Sequence, residues 1–461
     1  MLSAGTGRSD ITPAPGTPQG GWGAQTHERG ITADLPLYAT ALTISDGACQ
    51  FILIDVDAIG FDEAVTSRIL DEVQIATGMP RSHIRLSCTH THSGPNTFRL
   101  EMIRGGRSMI EAYIQSLPAH IAGAAWQSMQ SLTPVRVQAA SGICSINVNR
   151  RVRLPDGRIG VGVNSGGFVD HTVRVVSFAG RDGEPVANLL HYACHPTTIA
   201  WQSQCFTPDY PGMARHVMER ATGARCLFLQ GAAGNLGPKV GFTGDHSVYR
   251  RWGRALGLTG AALAANMDVA CVRYQMDRVQ ESGAPIALYV PVAEIEEDSH
   301  LDVAYRMVPL PVRAMAPPEE AEAEAGLLRD EAKAIRERGA SDEEIRFALA
   351  LATQAGIRAG LSSRFHGKAT IGWPLQTVAF GGIALSATAG EPFAETGVEI
   401  AKRSPFPHTL FSGYSNGGFG YLPTREAFAE GGYEVSTSPF TQDAADVLRD
   451  AVLEQLQELK R

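Results

Sequence analysis

Two histidines one residue apart, in Thr-His90-Thr-His92-Ser-Gly-Pro, are the first candidates for chemistry. On an extended segment residues i and i+2 project from one face, so both imidazoles can reach the same small volume. Such a pair suits a divalent metal ion, or one ligand beside one acid/base group. Two hydrogen-bonded surface histidines would read the same way. His191 and His195 lie four apart in HYACHPTT. A strand running into a turn is predicted there, which puts His195 at the strand end and leaves His191 to structure. Glu391 follows an apolar run in ATAGEPF, where a carboxylate is costly unless paired or metal-bound. Tyr414, Tyr421 and Tyr433 fall in the Gly-rich tract 412–434; they can pack there, or donate hydrogen bonds to a developing oxyanion. QGAAGNLGP (230–238) lacks the Lys-Ser/Thr of a Walker loop and does not match GxGxxG, so a tight strand-to-helix turn accounts for it. No HExxH occurs, which weakens the common metalloprotease reading.

The elements that must carry these residues read as α/β. The run 49–60 is a buried strand, 61–78 has helical spacing and a Gly stop, and 81–95 is a second strand carrying the His pair into a Gly-Pro turn. That is a strand–helix–strand unit. Its strand ends hold Asp55, Asp57, His90 and His92, where open α/β sheets keep their ligands. Paired strands are predicted at 171–180 and 185–198, a helix at 209–223, a strand at 224–238, and a helix at 246–266. No internal repeat is visible. Charge dominates 316–349, which predicts an exposed helical hairpin inserted over about 316–360, its charges a solvated face. Buried strands follow, and an amphipathic helix closes the chain. The expected fold is one large α/β catalytic domain over 1–461, with mixed sheets flanked by helices.

Composition excludes several classes. Hydrophobic residues are 44% and charged residues 19% of 461, enough for a substantial core. The net charge of −8, without a Lys/Arg cluster, argues against a nucleic-acid partner. No apolar stretch is long enough to span a bilayer, so no stable membrane insertion is expected. The N-terminus lacks the features of a secretory signal. Seven cysteines with no CxxC pair read as reduced, mostly buried thiols. A cytoplasmic location is expected.

Taken in order, GTGRSDITP, THTHSGP, NVNRR, CHPTT, DYPG, QGAAGNLGP, AGEPF and the Asn416–Tyr421–Tyr433 spacing resemble the catalytic domain of the neutral/alkaline (non-lysosomal) ceramidase family. The resemblance runs from about residue 4 to about residue 435. It implies one zinc ion per chain, held by His90, His195, Glu391 and Tyr421, a donor set that suits zinc. It also implies active-site roles for His92, Arg150 and Tyr433, and for a glycine of GGWG, Gly21 or Gly23. Asp55, Asp57, Asp209 and Asn235 are candidates to orient the imidazoles.

This chain departs from the family pattern in reading Gly234-Asn235-Leu236-Gly237-Pro238 where the family has Gly-Asp-x-Ser-Pro. A mechanism that needs that serine is unavailable. No immunoglobulin-like C-terminal domain is expected after the last helix. The activity implied is hydrolysis of an amide bond in a soluble N-acyl or cyclic amide compound by a metal-activated water. His92 would protonate the leaving amine, and Arg150 would hold a substrate carboxylate or head group. An esterase, lactonase or sugar-derivative hydrolase using the same zinc site is an alternative, as is a non-catalytic binding protein on this fold. The partner expected is a small-molecule substrate, with homo-oligomerisation open.

Overall fold

The computed structural model describes residues 1–22, 25, 27–97, 103, 105–180, 182–267, 272–294, 300–417 and 420–460. Its architecture is a mixed α/β arrangement of several sheets flanked by helices, as the sequence predicts. What the sequence does not show is that the same unit occurs three times.

The first unit orders its strands Ile84–Cys88, Gln50–Val56, Tyr38–Ser45 and Ser3–Asp10 across one sheet. The second orders Arg225–Gln230, Pro185–Tyr192, Thr172–Ala179 and Arg136–Ile143. The third orders His408–Ser412, Ile383–Thr388, Thr370–Phe380 and Leu301–Pro311. In each, the first two strands named are parallel and the others antiparallel. A helix joins each parallel pair: Glu63–Thr77, Asp209–Thr222 and Ala394–Arg403. A second helix follows each unit: Arg107–Gln130, His246–Ala265 and Ala444–Lys460. The expectation of no repeat is thereby corrected. Insertions of different length between corresponding strands hide it.

The apolar pattern explains the packing. Phe51, Leu53 and the alternate residues Ile52, Ile54 and Val56 are all fully buried, so this strand must be covered on both faces. Phe51 and Leu53 enter a core shared with Val176, Leu227, Val378 and Leu385, drawn from the other two sheets. Ile52, Ile54 and Val56 instead meet Ile69 and Ile114 of the flanking helices. The second and third sheets divide their faces in the same way. One face of every sheet therefore points to a common centre, and the other is sealed by its own helix pair.

Buried polar links join the units across that centre. Arg215 reaches from the second unit to Asp55 Oδ2 at 2.6 Å and Asp57 Oδ1 at 2.6 Å in the first. Arg85 of the first unit donates to Gln376 Oε1 at 2.9 Å and Leu385 O at 2.8 Å in the third. His191 Nε2 of the second donates to Phe411 O at 2.9 Å in the third.

The charged tract is the predicted helical hairpin, Pro318–Glu337 and Asp342–Phe365, with a Ser341/Glu344 capping box at its turn. Its two helices meet through alanines, including Ala325, Ala355 and Ala359. An unpredicted ribbon, Val272–Gln280 paired with Ile286–Glu294, stands between the second and third units with Tyr274, Met276 and Tyr289 exposed. The six described cysteines are free, and four of them are buried. No helix among the described residues is long and apolar enough to cross a membrane.

Removing the Arg215 cation should be expensive, because two carboxylates would stay buried without it. Arg215→Met is expected to lose about 3–5 kcal/mol of stability in urea unfolding. Adding Asp55→Asn and Asp57→Asn should restore part of that loss. A single variant as stable as the parent would show that the link contributes nothing.

Candidate metal centre

The common core forces the carboxyl ends of the three parallel pairs together, and the candidate residues sit there. Three residues past Val56, Tyr192 and Thr388 come Ile59, His195 and Glu391. Two residues past Cys88 and Ser412 come His90 and Tyr414. The bridges Ser87–Ser415 and Gly231–Ser412 tie the units at this point. His90 and His92 do not lie on a strand, as the sequence suggested: the strand stops at Cys88, and His90 is left-handed with φ 66°. Tyr414, its counterpart in the third unit, has φ 55°. Such backbone is uncommon outside glycine and recurs at functional sites.

Backbone carbonyls set the imidazole tautomers. His90 Nδ1 donates to Ile59 O at 2.6 Å and His195 Nδ1 to Ala233 O at 2.7 Å. His92 Nδ1 faces Gly21 O at 3.1 Å. A carbonyl only accepts, so each neutral ring carries its proton on Nδ1 and presents a lone pair at Nε2. Those lone pairs converge. His90 Nε2 and His92 Nε2 stand 3.3 Å apart, and the three histidines offer ligand atoms all within 4.8 Å of one another. His195 Nε2 is buried and makes no hydrogen bond among the described residues, although Glu391 Oε2 lies only 3.0 Å away. The same Glu391 oxygen is 3.7 Å from His90 Nε2. Burial holds His90 and His195 well below the usual imidazole range, so both are neutral. Lone pairs and a carboxylate facing one another in a buried space repel unless a cation lies between them. This arrangement fits a divalent metal.

The fourth expected ligand, Tyr421, pairs directly with Glu391 in a short parallel bridge, and its ring stacks 6.4 Å from that of His195. Burial, reinforced by Glu391, pushes the Tyr421 phenol well above its usual range, while Arg150 pulls the other way. Arg150 Nη2 donates to Tyr421 Oη at 3.1 Å, and its Nε donates to Glu434 Oε1 at 2.9 Å. Its guanidinium thus braces the tyrosine. Tyr433 is 37% exposed, with its ring 5.8 Å from Tyr421, which leaves it at the surface of the site.

The four residues expected to orient imidazoles do other work. Asp55 and Asp57 hold Arg215. Asp209 accepts from Ile199 N at 2.9 Å and Tyr210 N at 2.5 Å, closing the loop after His195, and burial pushes its carboxyl up to about 6. Asn235 accepts from Ala394 N at 2.9 Å and donates to Glu395 Oε2 at 2.8 Å. It thereby clips the Gly-rich loop to the segment after Glu391. That loop enters the strand Leu236–Pro238 rather than the helix the sequence suggested. Gly234 is required by this approach, since a Cβ there would stand 2.5 Å from Glu391 O. Gly21 contributes the carbonyl that meets His92, while Gly23 lies outside the described residues.

Sequence reasoning missed Glu434, which is 1% exposed and also accepts from Arg151 Nη1 at 2.8 Å. The two consecutive arginines of NVNRR were the available signal that an acid must answer them. Tyr414, which the sequence offers as one of three loop tyrosines, has its ring 4.4 Å from that of His90 and its hydroxyl 3.5 Å from Glu391 Oε2.

The model of the N-terminal region of neutral/alkaline non-lysosomal ceramidases matches residues 2–232. The chain belongs to this family. A neutral ceramidase of Pseudomonas aeruginosa is 25% identical over 222 residues, which is 44% of this chain and 32% of that protein. The chain thus matches about a third of the length of that curated relative. The crystal structure of neutral ceramidase from Pseudomonas aeruginosa superposes with a TM-score of 0.72 at 19% identity, covering 100% of this chain and 74% of that one. A ceramidase complexed with C2 gives 0.71 at 18%, over 100% and 75%. These structures establish the ceramidase fold across the whole chain. The family model itself reaches His90, His92, Arg150 and His195 but not Glu391, Tyr421 or Tyr433.

His191, left to structure by the sequence, is buried against Phe411 O, and burial lowers its pKa from 6.5 to about 4. The unfolded chain therefore takes up this proton first as pH falls. Stability from this group is complete above about pH 6.5 and is lost toward pH 4, on the order of 3 kcal/mol. His191→Gln keeps a donor for Phe411 O but cannot titrate. Its stability should approach or overtake that of the parent between pH 6.5 and 4 in chemical unfolding. Parallel pH profiles would exclude the effect.

Proposed function

We propose that this ceramidase-family protein is a zinc-dependent hydrolase that cleaves the amide C–N bond of a soluble N-acyl or cyclic amide small molecule. The observation that carries this reading is the convergence of imidazole lone pairs on Glu391, with His195 Nε2 buried and lacking a hydrogen bond among the described residues. His90, His195, Glu391 and Tyr421 would hold the ion, which when bound supplies Lewis-acid activation of water and polarisation of the carbonyl.

The protein's own groups do the rest. The carbonyls of Ile59 and Ala233 keep His90 and His195 in the ligating tautomer. Arg150, answered by Glu434, places positive charge on Tyr421 Oη and so favours its phenolate form. His92 is half-buried beside the cluster, and its Nε2 lone pair can take a proton from the attacking water and pass it to the departing amine. Tyr433, partly exposed, can donate to the carbonyl oxygen as negative charge develops on it.

Purified protein is expected to carry about one zinc per chain, by analogy with single-ion catalytic sites. The His90→Ala, His195→Ala double variant should carry none, and a chelator should abolish amide hydrolysis until zinc is returned. Protein that takes up no metal when zinc is offered would overturn this reading. His92→Ala should keep its zinc and lose about 10²–10⁴ in kcat; loss of zinc instead would make His92 a ligand. Glu434→Gln should weaken zinc about 10–100-fold in competition with a chelator, because the brace on Tyr421 is loosened. Unchanged affinity would remove Glu434 from the site.

A further inference from the structure

An aromatic wall stands beside the imidazole cluster, and the chemistry above makes no use of it. Trp22, Trp201 and Phe242 come from three separate segments. Trp22 is the hub: its ring lies 5.2 Å from His92, 5.7 Å from Trp201 and 5.7 Å from Phe242, centroid to centroid. It meets the last two edge-on, at 71° and 78°. All three side chains are partly exposed, and none joins the apolar cores that the described residues form.

Two observations set this wall apart from ordinary packing. Phe242 has φ 55°, a left-handed backbone that strains a bulky residue. The strain is maintained by a hydrogen bond from Phe242 N to Thr197 O at 3.0 Å, two residues beyond His195. The loop that delivers a candidate ligand therefore also delivers this ring. The second observation is that Trp22 Nε1 is buried and has no acceptor among the described residues. A buried indole N–H normally finds one.

We propose that Trp22, Trp201 and Phe242 form a subsite for a planar aromatic part of the substrate. The group that fits is an aromatic ring bearing an oxygen acceptor, which takes the hydrogen bond from Trp22 Nε1. Flat rings match edge-on aromatic walls, and an oxygen on the ring satisfies the stranded donor. Trp22 also packs on His92, so a ring seated here lies next to the group that protonates the leaving amine. This assignment rests on the amide-hydrolase reading for its meaning, but binding at the wall does not require turnover.

The test is calorimetric titration of acetate, phenylacetate and 4-methoxyphenylacetate into the protein, both metal-free and zinc-loaded, beside hydrolysis of the corresponding amides. Both aryl acids should bind about 10-fold or more tighter than acetate, from burial of the ring. Trp22→Phe keeps a ring and removes only the N–H. It should weaken the methoxy acid about 5-fold and leave phenylacetate unchanged, as for one hydrogen bond. Phe242→Ala and Trp201→Ala should reduce both aryl affinities, and circular dichroism confirms that each variant is folded. Equal binding of acetate and the aryl acids, or an aryl preference that survives all three substitutions, would overturn the subsite. Equal losses of both aryl acids in Trp22→Phe would overturn the role of the N–H. Aryl binding without hydrolysis of any amide would keep the subsite and reject the hydrolase. Hydrolysis with no aryl preference would do the reverse.

Discussion

A sheet that is apolar on both faces has to be covered twice, and three such sheets here solve the problem by sharing one core. Each turns alternate residues inward, as Phe51 and Leu53, Leu227 and Leu229, and Val378 and Phe380 do, and seals its outer face with its own two helices. Once that core forms, the carboxyl ends of three parallel pairs have no freedom to diverge. They bring Ile59, His90, His195, Glu391 and Tyr414 to one place, although these residues span more than three hundred positions of the chain. The site is a consequence of the core, in the same sense that ligands gather at the strand ends of open α/β sheets.

Polar groups at the centre are tolerated because each has a defined partner. Asp55 and Asp57 are answered by Arg215, Arg150 and Arg151 by Glu434, and Arg85 by the amide of Gln376 with the carbonyl of Leu385. These links connect one unit to another or close an insertion over a unit. They add specificity to a core that apolar packing alone would leave free to slide. The imidazole cluster differs in that lone pairs there face a carboxylate, an arrangement that fits a cation between them.

The strained residues follow the same division. His90, Tyr414 and Phe242 adopt left-handed backbone at the site or at its rim. None of them packs in the common core, and each is fixed by a loop hydrogen bond: His90 N to Ala58 O, Tyr414 N to Gly390 O, and Phe242 N to Thr197 O. The core supplies the stability, and the loops spend some of it on geometry.

Much was legible in the residues alone. Apolar period and stop signals located the strand–helix–strand of the first unit, the helices at 209–223 and 246–266, and the charged helical hairpin, because those patterns depend only on neighbours in sequence. The ordered motifs identified the family and named His90, His195, Glu391 and Tyr421, which the fold does bring together. Tertiary structure alone decided the rest. The threefold recurrence is invisible in sequence, because a strand's place in a sheet depends on its partners and not on its residue types. Arg150 reads as a free cation until Glu434, 284 positions away, is seen to pair with it. Asp55 and Asp57 look like orienting carboxylates until Arg215 arrives from another unit, and backbone carbonyls, which no side-chain code announces, orient the imidazoles in their place. Residue type determines which chemistry is available; long-range packing decides which groups are left free to perform it.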